Sequence, residues 1–204
     1  MGSRMRKFLK AALNALFLVL AFIPALLSGF GRVKPVYTFF AHACATVPGG
    51  IGDFLRGAYY HMTLRSFDLS SRISFGSFFA HPEAGIGSGV YIGSYCILGK
   101  VTIGDRTLLA SSVQVLSGQH QHERGSAGPA FDGGQFVQVT IGSDSWIGAG
   151  AIVMANVGSR TTIGAASVVT KPVPDDCVAV GSPARVIRDT HSANESPSLE
   201  ASSS

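Results

Sequence analysis

Charge is scarce in this chain. Sixteen Lys and Arg and 12 Asp and Glu make up 14% of its 204 residues, for a formal net charge of +4 at pH 7. The pI near 9.2 invites a nucleic-acid reading, but low charge density with no basic stripe excludes it. Cysteine is scarcer: Cys44, Cys96 and Cys177 are odd in number and widely spaced. A disulfide scaffold is thereby excluded, and the three lack the spacing of a cysteine zinc site, whose ligands come in close pairs. The composition of a disordered chain is missing too, since 46% of residues are hydrophobic and mean hydropathy is +0.31. The length suits one domain with a real core plus an appendage.

The charge that is present gathers at one end. Arg4, Arg6, Lys7 and Lys10 precede Ala11–Phe30, an uncharged stretch whose clear polar residues are Asn14 and Ser28. About 20 apolar residues rising about 1.5 Å each match a hydrocarbon core of about 30 Å, and the basic flank would keep its own end cytoplasmic. Residues 1–35 therefore read as a hydrophobic, membrane-associating segment, expected to span or insert stably. Pro24 and Asn14 leave open a helix lying along the membrane or buried in an oligomer. A cleaved signal fits less well, because the stretch is long and Ser28-Gly29-Phe30 is a poor cleavage site. A single span would place the remainder outside, whereas an interfacial helix would leave it in the cytoplasm.

Residues 36–72 read as a helical region. An apolar run from Tyr37 to Val47 stops at Pro48-Gly49-Gly50, and Asp53 is placed to cap a second helix from Phe54 to Leu64. His42 and His61 read as ordinary helix residues.

From Ile73 a six-residue period takes over. Ile86, Ile92 and Leu98 are in phase; after a slip so are Ile103, Leu109 and Val115; after a long interruption Ile141, Ile147 and Val153; after another slip Val157, Ile163 and Val169. Eight of these twelve are followed directly by Gly, and four residues after the aliphatic stands a small or β-branched residue, as at Cys96, Thr107, Ser145 and Thr161. A period of six fits neither a helix face nor an alternating strand. It fits a coil with flat sides and tight corners, one hexapeptide per side, stacked as a solenoid. The aliphatic fills the interior, Gly relieves crowding at the corner, and stacking satisfies the backbone. Gly148 and Trp146 are expected to shape the coil.

Three segments carry a resemblance: 103–108 (Ile-Gly-Asp-Arg-Thr-Leu), 141–150 (Ile-Gly-Ser-Asp-Ser-Trp-Ile-Gly-Ala-Gly) and 163–174 (Ile-Gly-Ala-Ala-Ser-Val-Val-Thr-Lys-Pro-Val-Pro), closed by 181–188 (Gly-Ser-Pro-Ala-Arg-Val-Ile-Arg). Together they resemble the hexapeptide-repeat acyltransferases, which include galactoside, maltose and serine acetyltransferases and many polysaccharide O-acetyltransferases. The resemblance covers residues 73–188. It implies a mainly β fold, a left-handed parallel β-helix with an N-terminal helical, hydrophobic extension. It also implies a homotrimer and an acyl-CoA donor, acetyl-CoA, as co-substrate. The hydrophobic segment resembles a membrane-associated subgroup linked to polysaccharide biosynthesis. Residues 189–204, polar and Ser-rich, are expected to be a disordered tail.

Residues 117–137 interrupt the repeat with a polar excursion rich in Ser, Gly, Gln and His. Such a loop within a regular solenoid is uncommon unless functional. Acyl transfer to a hydroxyl needs a base for the hydroxyl proton, and neutral imidazole is matched to that task near pH 7. Two histidines qualify, and the resemblance implies that one is catalytic. Counting five residues past Val115 reaches His120, whereas a Ser-Gly-x-x-Gln-His pattern of the exopolysaccharide subgroup matches Ser117, Gly118, Gln121 and His122. Glu123 or Asp132 could orient the ring, and His81 is a weaker acceptor-site candidate.

For the donor, the resemblance places the pantetheine arm at Ala149 and Ala165, the adenine and phosphates near Thr170 and Lys171, and phosphate pairing at Arg185 and Arg188. The short step from Val153 to Val157 departs from the soluble acetyltransferases. Cys96 reads as core. Cys177, beside Asp175 and Asp176, has no means of lowering its pKa, so direct attack on the thioester is the expected route. The leading expectation is an O-acetyltransferase for a sugar or glycan hydroxyl, acting at a membrane from the cytoplasmic side. Alternatives are serine or another small acceptor, a zinc hydratase on the same fold (short of a credible third imidazole, so no metal is expected), and a non-catalytic scaffold.

Overall fold

A computed structural model describes residues 3–117, 124–125, 128–129 and 136–189. Three helices lead the chain: α1 (Ser3–Leu27), α2 (Lys34–Ala45) and α3 (Gly49–Thr63). A parallel β-solenoid of short strands follows. Its first coil is β1 (Ser66–Phe67), β2 (Arg72–Ile73) and β3 (Phe78–Phe79); its second is β4 (Gly85–Ile86), β5 (Tyr91–Ile92) and β6 (Ile97–Leu98). The third is β7 (Val101–Ile103), β8 (Leu108–Leu109) and β9 (Gln114–Val115). Within the excursion, β10 (Arg124–Gly125) pairs antiparallel with β11 (Gly128–Pro129). The fourth coil is β12 (Val139–Ile141), β13 (Trp146–Ile147) and β14 (Ile152–Val153). The fifth enters through a bridge at Val157 and continues as β15 (Thr162–Ile163) and β16 (Val168–Val169). After β17 (Cys177–Val180), β18 (Arg185–Asp189) turns back antiparallel and closes the stack.

The strands stack into three flat sides, here named A (β1, β4, β7, β12), B (β2, β5, β8, β13, β15, β17, β18) and C (β3, β6, β9, β14, β16). In-register pairing places Ile73 on Ile92, Leu109, Ile147 and Ile163, so one aliphatic column runs up the axis of the stack. All of these are fully buried. The first coil begins at Ser66, ahead of the start expected at Ile73, because Phe67 and Phe79 fill the slot that Ile, Leu or Val takes elsewhere. An aromatic tolerates that slot where the layer above is a helix.

Small hydroxyl residues at inner corners have a specific task. Ser71, Ser77, Thr107, Ser145 and Thr161 donate to the carbonyls of Gly87, Gly93, Gly142, Gly158 and Pro174 in the next coil, at 2.6–2.7 Å. Corner carbonyls point away from the ladder, and buried ones must find a donor. The glycine after each aliphatic serves close approach. A Cβ on Gly148 would lie 2.5 Å from the Ala165 N, and one on Gly104 would lie 2.5 Å from the Ser143 N. The turn itself is made two residues later in left-handed backbone, held by Tyr95, Arg106, Ser112, Asp144, Arg160, Ala166 and Asp176 as well as by Gly76, Gly89 and Gly150. Trp146, expected to shape the coil, points outward and is 54% exposed.

Helices α2 and α3 plug the open end of the first coil, whose strands have no coil above to satisfy them. Each strand finds a side chain instead. His61 Nδ1 lies 2.7 Å from the Phe67 carbonyl, and Arg56 Nε donates to the Ile73 carbonyl at 2.9 Å. Tyr37 donates to the Phe79 carbonyl at 3.0 Å, while Tyr60 accepts from the Phe79 N–H at 3.3 Å. The phenols of Tyr37 and Tyr60 are pushed above their usual range by burial. Asp53 does not cap a helix starting at Phe54: α3 begins at Gly49 with Pro48 at its N-cap. Glycines in a first turn lose no packing, so Gly49-Gly50 starts the helix rather than breaking it. Asp53 instead bridges Arg56 and Arg72.

Helix α1 lies along α3. Ala21 and Ala25 are fully buried, and Phe17 stacks on Phe54 with centroids 5.7 Å apart. Its opposite face, including Leu16, Val19, Phe22, Ile23 and Leu26, is exposed and apolar. By length and composition Phe8–Leu27 could cross a membrane.

Candidate active site

The excursion leaves the C–A corner between the third and fourth coils, and its two ends are tied together. Val137 N–H donates to the Ser117 carbonyl at 2.8 Å, and Ser117 Oγ accepts from the Lys100 N–H at 3.1 Å. Gln138 Nε2 and Arg65 Nη2 both donate to Thr102 Oγ1, the latter at 2.8 Å. The loop thus springs from a rigid base, with the antiparallel pair β10–β11 within it. His120, His122, Glu123 and Asp132 lie outside the described residues.

A charged cluster occupies the same corner below the loop. Glu83 Oε1 is 3.7 Å from both Lys34 Nζ and Lys100 Nζ, and Glu83 Oε2 is 3.9 Å from His81 Nδ1. That second oxygen is buried without a hydrogen-bond partner among the described residues. Phe136, at the returning end of the excursion, packs on the His81 ring at 4.6 Å and has Lys100 Nζ 5.8 Å over its own ring. Burial lowers the His81 pKa; Glu83 opposes the shift, and Lys100 and Lys34 add to it. Burial opposes ionisation of Glu83, but its own backbone N–H and the two lysines outweigh it and hold the carboxyl below its usual range. Of this group only His81 was legible as a candidate. Lys34 arrives from α2, and no spacing in the repeat could have named it.

The donor-site candidates divide between corners. Ala149 and Ala165 are exposed at the B–C corner of adjacent coils, where Ala166 N–H donates to the Ala149 carbonyl at 2.8 Å. Arg185 begins β18 beside that corner, its neighbour Ala184 hydrogen-bonded to the Val168 carbonyl at 2.8 Å. Thr170, half-buried, and Lys171, exposed, sit at the C–A corner, in line with Lys100 and the base of the excursion. Arg188 lies further along β18, opposite Val178. One chain therefore brings together Ala149, Ala165 and Arg185, and separately Thr170, Lys171 and the loop base.

No family model matches the chain. Nodulation protein L of Rhizobium meliloti (strain 1021) is 42% identical over 106 residues, 50% of this chain and 57% of that protein. Nodulation protein L of Rhizobium leguminosarum bv. viciae is 41% identical over 70 residues, 33% of this chain and 36% of that protein. The chain spans about half the length of the curated relatives it matches. A maltose O-acetyltransferase from Clostridium difficile 630 is 25% identical and superimposes with a TM-score of 0.65, covering 80% of this chain and 88% of that one. The chain shares the β-solenoid fold of that maltose O-acetyltransferase, and its repeat resembles those of the hexapeptide-repeat acyltransferases.

Within the solenoid Cys96 and Cys177 are poor nucleophiles. Cys96 is fully buried with its thiol 3.2 Å from the Ala110 carbonyl, and burial raises its pKa. Cys177 is raised by burial and by Asp189, Asp176 and Asp175. Among the described residues no group of His, Cys, Asp and Glu could hold a metal ion.

Proposed function

We propose that this chain is an acetyl-CoA-dependent O-acyltransferase that moves an acetyl group to a hydroxyl of a sugar or glycan intermediate. The observation that carries the reading is the polar excursion, pinned at Ser117 and Val137 beside the His81–Glu83–Lys100 cluster, in an otherwise regular stack. One imidazole of the excursion, His120 or His122, takes the acceptor hydroxyl proton. The oxygen attacks the thioester carbonyl, the tetrahedral adduct collapses, and the CoA sulfur leaves with the proton returned from the imidazolium. No acyl-enzyme is needed, in keeping with the raised pKa values of Cys96 and Cys177. Carbohydrate as the acceptor class rests on the likeness to the maltose O-acetyltransferase.

The split of donor residues supports a homotrimer. Exposed Ala149 and Ala165 leave a narrow wall for the pantetheine arm, and Arg185 and Arg188 stand by for phosphates, while Lys171 and the catalytic loop occupy another corner. A site using both corners needs two copies side by side.

The membrane reading takes the form of a helix lying in the surface. Were α1 to cross the bilayer, α3 and the polar corner at Ser70–Arg72 would follow it into hydrocarbon, at several kcal/mol per unsatisfied group. Lying flat, α1 buries its outward apolar face in lipid and leaves the solenoid in the cytoplasm, where acetyl-CoA is available.

The test is thiol release from acetyl-CoA with candidate sugars, using the full chain and the His120→Ala and His122→Ala variants. One variant is expected to lose about a hundredfold or more in kcat, in line with removal of a general base. Equal activity in both variants, or no acetyl-CoA binding by the folded chain, overturns the reading.

A further inference from the structure

A cavity of about 540 Å³ opens between the N-terminal half of α1, the first turns of α3 and the A–B corner of the first coil. Its volume lies in the range of ligand sites, and nothing in the acyl-transfer reading uses it. Leu9, Leu13 and Phe54 make apolar walls, and Lys10 and Arg72 stand at the lining as cations. Arg72 is engaged by Asp53, which also holds Arg56; Lys10 forms no salt bridge within 4 Å among the described residues, though it acts at longer range on Asp68. Arg72, Lys10 and, behind them, Arg56 outnumber the carboxylates Asp53 and Asp68, which leaves a net positive charge.

Two features distinguish this cavity from a packing defect. Glycines keep it open: a Cβ on Gly50 would meet nothing within 4 Å, and one on Gly57 would meet only Phe67, at 3.9 Å. The cavity is also continuous with the outward face of α1, because Leu9 lines it and is itself 49% exposed.

We infer that the cavity binds an anionic membrane phospholipid, acyl chain against Leu9, Leu13 and Phe54 and headgroup phosphate at Lys10 and Arg72. The inference rests on the reading of α1 as a surface-lying membrane helix. On it, the enzyme is oriented on the bilayer by a seated lipid as well as by apolar burial, and the first coil is held at a set height above the surface.

The experiment reconstitutes the full chain in nanodiscs of mixed phosphatidylglycerol and phosphatidylcholine and counts retained lipid by native mass spectrometry, alongside flotation of the same variants with vesicles. One phosphatidylglycerol per chain is expected, preferred over phosphatidylcholine. Lys10→Gln should reduce that preference by about fivefold, the worth of one cation near a lipid surface. Gly57→Leu, which fills the cavity and leaves the outer face of α1 intact, should abolish retention while flotation persists. Retention unchanged by Gly57→Leu, equal retention of both lipids, or displacement by glycerol phosphate at low concentration overturns the lipid site. Loss of flotation by the unaltered chain overturns the membrane reading itself. If Gly57→Leu fails to fold by circular dichroism, Lys10→Gln still decides the headgroup preference.

Discussion

Arg56 on α3 donates from Nε to the carbonyl of Ile73 in the first coil, 2.9 Å away. The guanidinium is fully buried, and its other nitrogens reach the Cys44 carbonyl at 3.0 Å, the Val47 carbonyl at 2.7 Å and Asp53 Oδ1 at 2.6 Å. A solenoid exposes unpaired backbone at its first coil, which invites edge-to-edge association. Here one side chain serves that edge, the end of α2 and Asp53 together.

Arg56→Leu should therefore destabilise the chain by about 3–5 kcal/mol, the range for breaking a buried, hydrogen-bonded charge pair. Urea unfolding followed by tyrosine fluorescence measures it, since Tyr37, Tyr59 and Tyr60 pack in the same cap. A change under about 1 kcal/mol would mean that the cap does not depend on Arg56.

Two glycines separate close approach from backbone conformation. Gly104→Ala puts a Cβ 2.5 Å from the Ser143 N in the next coil and should cost about 1–3 kcal/mol or more through forced separation of coils. Gly150→Asn meets nothing within 4 Å at a φ of +69°, a conformation that Asp144 and Asp176 adopt elsewhere in the stack. It should cost less than about 1 kcal/mol. Thermal unfolding of both variants makes the comparison, and the reverse ranking would refute this assignment of roles.

At the base of the excursion, stability should fall with acid in a window set by His81. Its pKa is lowered in the fold, so the unfolded chain binds the proton more readily. The contribution is fully present above the ordinary histidine value of about 6.5 and is lost as pH drops through that range. Glu83, also lowered, adds a second loss only below the ordinary glutamate range of about 4.3. Melting temperature against pH for the unaltered chain and His81→Gln tests this. The variant should lack the first fall.

Lys171→Ala should raise KM for acetyl-CoA about tenfold with a smaller change in kcat, as expected when an exposed charge-assisted contact to phosphate is removed. Added salt should narrow the difference between variant and unaltered chain. A fall in kcat at constant KM would instead place Lys171 at the reacting atoms.

Much of the solenoid was legible in the residues themselves. A six-residue spacing of aliphatics from Ile86 to Val169, with glycine following, admits few other folds, because each hexapeptide must bury one side chain and turn. The polar stretch 117–137 stood out for the same reason: it breaks a period that is otherwise kept. The division of labour between glycine and corner was not legible, since clash with the next coil and left-handed backbone are both satisfied by glycine and only position in the stack tells them apart. Nor could the sequence assign Phe67 and Phe79 to the aliphatic slot, because their tolerance depends on Tyr60 packing above them. The sequence by itself determined the repeat, its interruption and the apolar first helix, all of which are local patterns. Tertiary structure alone decided that α1 lies along α3, that Arg56 closes the first coil, and that Lys34, Glu83 and Lys100 meet at the foot of the loop. These are contacts between segments far apart in the chain, and no spacing along it encodes their distance.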